Sequence, residues 1–427
     1  MKTFYPDIEE TIHEKTLENG LKLVIIPKKG FAKTEVELAV SFGSLDVLCE
    51  SADDQNHIQW PLGIAHFIEH LLFESEDSNS TEAFARVGAS VNAYTSYDKT
   101  NYYFSTTNDS KSAIALLLIM VFEPHFTEKN VIKEAKIINQ EIKMYEDDFQ
   151  QQIYNDLMNH LYLNHPIRYD IAGTVESVNQ TDFDTLVRAY QHYYHPANMM
   201  MVIIGDVEVE SLILTIESEL KNYVIKPWKL KSRLINQDQK NHHSFKKTIT
   251  KDISMPMVIT GLKVQVQNNE SPLKIALDEI KLSFLLSGVY GKSGKYYHQL
   301  MKKHLINDSF EFFSNLESTY GHIVLFTETK KNNQTEMVLK DQIKSLIDNP
   351  PDQKLFELSK RKMIGEFLVL CNSISQLGNY AMDYFIKGIN PFEFYHALCK
   401  MTYDEMQLIR NRLIIDTLVT IEYIPAR

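Results

Sequence analysis

Cysteine is scarce in this chain. Cys49, Cys371 and Cys399 are the only three in 427 residues, and they lie far apart. That excludes a disulfide framework and a CxxC metal site, and it suits a reducing compartment. Excess positive charge is absent as well. Forty-four Lys and Arg against 56 Asp and Glu leave a net charge of −12. A nucleic-acid binder needs a basic face to neutralise phosphates, so that class is disfavoured. Long apolar runs are missing too: the longest, Ala113 to Phe122, has ten residues, where a bilayer crossing needs about 20. No apolar stretch follows Lys2, so no secretory signal is expected. The chain reads as cytoplasmic, without a membrane span.

What is present is an ordinary globular composition, 44% hydrophobic and 23% charged, which rules out disorder and fibre. At roughly 100–200 residues per domain, the length predicts two or three domains. The start reads as a β-hairpin: residues 13–17, a turn at Asn19-Gly20, then Leu21 to Ile26. Asn-Gly supplies the positive φ values that a tight hairpin turn requires. A strand follows over 34–42, with Val36, Leu38 and Val40 alternating with polar or small residues. Helices are predicted over 61–73, 81–87, 111–122 and 127–147, with a strand-rich stretch from Ala89 to Ser105. Pro61 is placed in the first turn of its helix.

Residues 181–207 read as a helix, a break at His195-Pro196, and a buried strand from Met199 to Ile204. A similar sequence of elements recurs near the C-terminus, where Thr402 opens a helix and a strand follows over 417–423. Thr181-Asp182-Phe183-Asp184 and Thr402-Tyr403-Asp404-Glu405 point to an internal duplication. The stretch from Lys226 to Thr250 is polar and lacks apolar periodicity, as an exposed linker would be. Its His242-His243 pair cannot reach one ion from one helix face. The expected organisation is therefore an α+β fold of two homologous lobes, 1–228 and 245–427, joined by a linker at 229–244. Each lobe is expected to be a mostly antiparallel sheet with helices on one side.

The chemistry concentrates in His66-Phe67-Ile68-Glu69-His70. Histidines four apart lie one turn apart on one helix face and can both reach one ion. Glu69 projects near that face, while Ile64, Phe67, Ile68, Leu71 and Leu72 anchor the helix in a core. A catalytic zinc site needs this: two neutral imidazoles, a third protein ligand, and one position open for water. The third ligand is sought in the helix at 127–147, where Glu134 and Glu141, seven residues apart, share a face. On a charged helix the same pair also fits a solvated stripe.

With these residues in hand, the sequence resembles the inverted-motif zinc peptidases, the group of pitrilysin, insulysin and the mitochondrial processing peptidase. The resemblance rests on HxxEH followed by Glu134 to Glu141. Leu17-Glu18-Asn19-Gly20-Leu21, Gly88 to Thr95, Ile171-Ala172-Gly173-Thr174 and Tyr194 to Asn198 add to it. It implies that His66, His70 and Glu141 bind one Zn2+ per chain. Glu69 would act as general base on the metal's water, and Glu134 would fix a ligating histidine. It also implies that Asn92-Ala93-Tyr94-Thr95 lie on an edge strand to which extended peptide substrates add by main-chain pairing.

One departure stands out. The family holds substrate and oxyanion with an arginine and a tyrosine, and the corresponding stretch here has Met301 and Asn307 instead. Tyr296, Tyr297 or His304 would have to substitute, or a zinc-less paralogue would supply the Arg/Tyr pair in a heterodimer. The expected function is a zinc metalloendopeptidase acting on short or unstructured peptides in a chamber between two lobes. The alternative is a non-catalytic structural or peptide-binding subunit that keeps the fold.

Overall fold

The structure is a computed structural model that describes residues 1–50, 57–74, 80–225, 228, 233–235, 244–294, 296–348 and 352–426. The histidine pair at 242–243 and most of the expected linker lie outside these residues.

Two sheets organise the chain. The first has seven strands in the spatial order Lys2–Tyr5, Glu10–Thr16, Lys22–Pro27, Met199–Gly205, Thr34–Val40, Thr100–Thr106, Ala89–Thr95. The second has five, in the order Phe245–Lys251, Val419–Pro425, Met257–Lys263, Gly321–Glu328, Glu311–Leu316. Each sheet is antiparallel except for one parallel pair: Lys22–Pro27 with Met199–Gly205, and Phe245–Lys251 with Val419–Pro425. The last five strands of the first sheet and all five of the second therefore share one topology.

The helices repeat in the same sequence. Ile64–Leu72 and Ser80–Arg86 in the first half correspond to Pro272–Tyr290 and Tyr297–Lys302 in the second. Helix starts at Phe183 and Tyr403, and strand starts at Met199 and Val419, mark equivalent positions. The equivalent helix caps are Asp182 and Thr402, each accepting a bond from a backbone N–H in the first turn. The caps thus align one residue away from the Thr181–Thr402 correspondence that the sequence suggested. Pro272–Tyr290, the counterpart of the HxxEH helix, contains no histidine.

The compact units are not contiguous halves of the chain. One comprises Met1–Asp147, Tyr169–Ile235 and Leu368–Pro391; the other comprises Asp148–Arg168, Asn236–Phe367 and Phe392–Arg427. This differs from a division at 228 and 245 because each half sends one helix to the other half's sheet. Ile374–Phe385 packs on the strands Thr34–Val40 and Met199–Gly205 of the first unit. Phe149–Leu161 packs on Met257–Lys263 and Val419–Pro425 of the second. Both sheets are consequently covered on two faces. In the second unit Phe312 and Phe313, adjacent on one strand, meet Tyr290 and Tyr154 from opposite sides. The expected linker also shrinks: Phe245–Lys251 is a strand, drawn into the sheet by parallel pairing.

In the first unit the two faces differ in chemistry. Val36, Leu38, Val40, Tyr102 and Phe104 point into an apolar core with Phe67, Ile68 and Leu71. The alternate residues Glu35, Glu37 and Asn101 are buried on the other face beneath Ile374–Phe385. Gly378 lies so close that a Cβ there would come within 2.6 Å of Glu37 Oε1. Asn101 Nδ2 donates to Glu37 Oε2 at 2.9 Å. Glu37 Oε1 and Asn101 Oδ1 have no partner among the described residues, and a proton on Glu37 turns one of these two acceptors into a donor. Burial pushes the Glu37 carboxyl up to about 8, with the neighbouring charge of Glu35 adding to the shift.

Between the ordinary carboxyl range and pH 8 the folded state keeps a proton that the unfolded chain has released. The stability this proton provides is therefore complete at low pH and is lost as pH rises towards 8. Glu37→Gln removes this dependence. The thermal midpoint of that variant, relative to wild type, is expected to rise steadily from pH 5 to 8 and to level off above. A constant difference across that range would show that Glu37 is ionised in the fold.

Candidate metal centre

The HxxEH helix begins later than the sequence suggested. It spans Ile64–Leu72, and its N-cap Gly63 has φ 80°, a left-handed conformation that ends any helical path from Pro61. A Cβ on Gly63 would lie 2.2 Å from the Ala172 carbonyl oxygen. Only glycine permits this crossing, which fixes where the helix starts. Phe67, Ile68, Leu71 and Leu72 enter the apolar core and hold the helix, while His66 and Glu69 are buried on its other flank. Facing it is the helix Glu128–Asp147, which buries Val131, Glu134, Ile138 and Ile142. Glu141 follows Glu134 by two turns and stays half-exposed.

Packing of these two helices brings the predicted ligands together. His70 Nε2 lies 3.3 Å and His66 Nε2 3.8 Å from Glu141 Oε2. The imidazole rings are 4.6 Å apart between centroids and nearly perpendicular. One ligand atom from each of the three residues falls within 4.8 Å of the other two. Two donors held about 2.0–2.1 Å from a tetrahedral zinc lie about 3.4 Å apart, so spacing and donor types both fit that ion. Among the described residues this is the one such cluster.

Each side chain of the cluster has a second contact that aims it. His70 Nδ1 is 3.2 Å from Glu134 Oε2, which fixes the ring and leaves Nε2 to point at Glu141. Lys133 Nζ stands 3.4 Å from Glu134 Oε1 and also pairs with Glu74. Tyr145 donates its hydroxyl to Glu141 Oε1 at 2.8 Å, leaving Oε2 towards the histidines. Thr95 donates Oγ1–H to Glu69 Oε2 at 2.5 Å.

The charges are strongly coupled. Burial, then the nearby His70, pushes His66 down to about 4. Burial also opposes a charged His70, but hydrogen bonds to Glu134 and Glu141 overcome it and raise the ring to about 9. The bond from His70 holds Glu141 down to about 2. Burial raises Glu69 above the ordinary carboxylate range, although the Thr95 bond works against that. Without metal, His70 is thus a cation held between two carboxylates.

The stretch Asn92-Ala93-Tyr94-Thr95 lies at the edge of a sheet. Ala89–Thr95 is the last strand of its sheet and pairs only with Thr100–Thr106. The Ala93 N–H is bonded to the Asn92 side chain, Oδ1 at 2.9 Å, rather than to a neighbouring strand. Tyr94 lies on the opposite face, against Lys99, whose Nζ is 5.6 Å from the ring centroid and 2.6 Å from Asp383. Asn307 is committed elsewhere. Its Oδ1 accepts from the Ser309 N–H at 2.9 Å, and its Nδ2 donates to Glu328 at 3.3 Å. Met301 sits in the helix Tyr297–Lys302.

Three contacts escaped the sequence reading. Tyr145 had a signal, since it stands four residues after Glu141 on the same helix face. Lys133 directly precedes Glu134, and successive residues of a helix do not face each other, so spacing gave no sign of their contact. The Thr95–Glu69 bond joins residues 26 apart and has no sequence signature.

Comparison with known proteins shows the family of the chain. Residues 34–175 match the family model described as insulinase (peptidase family M16), and 181–363 match the M16 inactive domain. The uncharacterized zinc protease YmfH of Bacillus subtilis is 31% identical over 99% of this chain and 98% of its own length. The chain belongs to peptidase family M16. YmxG of B. subtilis, another uncharacterized zinc protease, is 27% identical over 85% of each M16 chain. An M16-like peptidase structure from Alicyclobacillus acidocaldarius superposes with a TM-score of 0.90 at 26% identity, covering 98% of this chain and 99% of that one. A Helicobacter pylori protease at 18% identity, with a TM-score of 0.83 and 97% of this chain covered, shares the fold.

A metal held by His70 would need its ring neutral, so zinc would have to displace a proton there. Titrating zinc into metal-free protein at pH 7 is expected to saturate at one ion per chain and to release about one proton, read as a buffer-dependent binding enthalpy. Glu134→Gln should weaken zinc about 10–100-fold. Unchanged affinity in that variant would show that Glu134 does not hold His70.

Proposed function

We propose that this M16 chain is a zinc-dependent endopeptidase that hydrolyses short or unstructured peptides. His66, His70 and Glu141 are the metal ligands in this reading. The observation that supports it most is Glu69, a buried carboxyl beside the ligand cluster with one oxygen bonded by Thr95. Bound zinc would polarise a peptide carbonyl and make water acidic enough to attack it near neutral pH.

The chain's own residues supply the remaining steps. Glu69 takes the proton of the attacking water and returns it to the leaving amine. Its raised pKa brings it closer to the working pH, where a group both accepts and donates readily. Thr95 occupies Glu69 Oε2, so Oε1 is the atom left for proton transfer. Because Thr95 ends the edge strand, substrate alignment and base orientation share one element. An extended peptide pairs with the backbone of 92–95, displacing the Asn92 side chain from the Ala93 N–H. Recognition of this kind follows backbone conformation more than side-chain identity.

Cys49, Cys371 and Cys399 are free thiols, which suits a cytoplasmic enzyme. No helix among the described residues is long and apolar enough to cross a membrane.

A second reading is favoured by one observation. Asn307 stands where the family's tyrosine is expected, and its side chain is spent on Ser309 and Glu328. A zinc-less paralogue would then bring the Arg/Tyr pair in a heterodimer, and this chain by itself would be a weak catalyst or a non-catalytic peptide-binding subunit. Losing one oxyanion donor costs about 10²–10³ in rate.

Glu69→Gln is expected to bind one zinc as wild type does and to lose about 10²–10⁴ in kcat/KM on fluorogenic peptides. Substantial residual cleavage removes Glu69 from the mechanism. Mixing wild type with the paralogue should raise the rate by about 10²–10³. Equal rates with and without that paralogue overturn the heterodimer, and zinc-loaded protein inert in both states favours the binding-subunit reading.

A further inference from the structure

Many lysines of this acidic chain have a carboxylate beside them. Lys99 meets Asp383 at 2.6 Å, Lys246 meets Glu336 at 2.6 Å, and Lys281 meets Asp278 at 2.8 Å. Among the described residues, four lysines of the second unit have no such partner and line two adjoining concavities. Lys302 and Lys303 end the helix Tyr297–Lys302, and Lys330 and Lys331 precede the helix Asn332–Asp348. All four are exposed, and among the described residues none of them is in an ion pair. Lys331 Nζ donates to the Lys303 carbonyl at 2.8 Å, which ties the two segments together and keeps the four charges in one place.

They wall two adjoining concavities of about 530 and 420 Å³ that share Lys331 and Gln334. Among the described residues, neither concavity is lined by an Asp or Glu. The larger has an apolar floor of Leu305, Met337 and Val338, and its Met337 side chain is 63% exposed. His304, on the same wall, has φ 54°. It occupies the left-handed position past a helix end, where glycine is usual. Like charges that line the same pair of concavities repel one another, and an anionic ligand relieves that repulsion.

We propose that this groove binds an acidic peptide segment, carboxylates on the lysine rim and an apolar side chain on the Leu305–Met337–Val338 floor. The size of each concavity suits a few residues of extended chain. A free phosphate would satisfy the cations but leave the apolar floor uncovered. A nucleic acid, being a long polyanion, would meet the net charge of −12 beyond the groove. A short acidic segment meets only the local field. This binding needs neither metal nor turnover, so it stands or falls apart from the peptidase reading.

The test uses the full-length metal-free protein and a fluorescein-labelled pentapeptide with one leucine between two pairs of glutamates. Fluorescence anisotropy should show saturable binding that weakens as salt rises. Lys302→Glu combined with Lys330→Glu should weaken it at least about tenfold, with an unchanged circular dichroism spectrum. The pair Lys302→Gln and Lys330→Gln should give a smaller loss in the same direction. Inorganic phosphate at equal concentration should not displace the peptide. Three results overturn the proposal: unaltered binding in both double variants, equal binding of the matching lysine peptide, or displacement by equimolar phosphate, which would make this a small-anion site.

Discussion

The site depends on one helix–helix contact. Ile64–Leu72 carries the imidazoles of His66 and His70, and Glu128–Asp147 carries Glu134 and Glu141. Only their packing puts Glu141 Oε2 within 4 Å of both His66 and His70. Three partly buried titratable groups at such distances are costly unless their charges balance. Without metal the balance comes from a proton on His70 shared between Glu134 and Glu141. A divalent cation with one protein carboxylate and two neutral imidazoles gives another balance, in which the proton leaves. The same geometry thus serves both states, and the core residues Phe67, Ile68 and Leu71 hold the helix that makes it.

The contacts behind the cluster narrow the remaining freedom. His66, His70, Glu141 and Glu69 each carry two heteroatoms, and in three of the four one of these is already engaged: Nδ1 of His70 by Glu134, Oε1 of Glu141 by Tyr145, and Oε2 of Glu69 by Thr95. Of these, one atom each from His66, His70 and Glu141 falls within 4.8 Å of the other two. His66 differs, because its buried Nδ1 has no partner among the described residues. Its orientation rests on burial and ring packing against His70 rather than on a hydrogen bond.

The duplicated architecture explains why the described residues hold a single cluster able to take a metal ion. Both halves use the same strand order and the same helix sequence. The second half's counterpart of the HxxEH helix is Pro272–Tyr290, an apolar helix without histidine. Each half also gives the other's sheet a helix, Phe149–Leu161 in one direction and Ile374–Phe385 in the other. In the first unit that cover buries Glu35, Glu37 and Asn101, a polar layer on the back of the sheet whose edge is Ala89–Thr95. The Lys99–Asp383 pair beside Tyr94 belongs to the same layer. Sheet edge and metal helix are thereby supported from both faces.

Local sequence patterns determined much of this protein. The Asn-Gly turn, the alternation over 34–40, the apolar helix at 110–122 and the i, i+4 histidines all follow from periodicities of two or 3.6 residues. Those periodicities need no knowledge of distant chain. The seven-residue spacing of Glu134 and Glu141 was legible in the same way, whereas the edge strand was implied only by the family resemblance and the cap pairing was placed one residue off, at Thr181 in place of Asp182. Tertiary structure alone decided what crosses long sequence separations. Gly63 sets the helix start because Ala172 passes over it, which Pro61 could not foretell. The exchange of helices between the halves and the burial of Glu37 under Gly378 have no local signature. Nor does the bond from Thr95 to Glu69. These contacts depend on which surfaces meet after the sheets form, and a one-dimensional pattern carries faces but not partners.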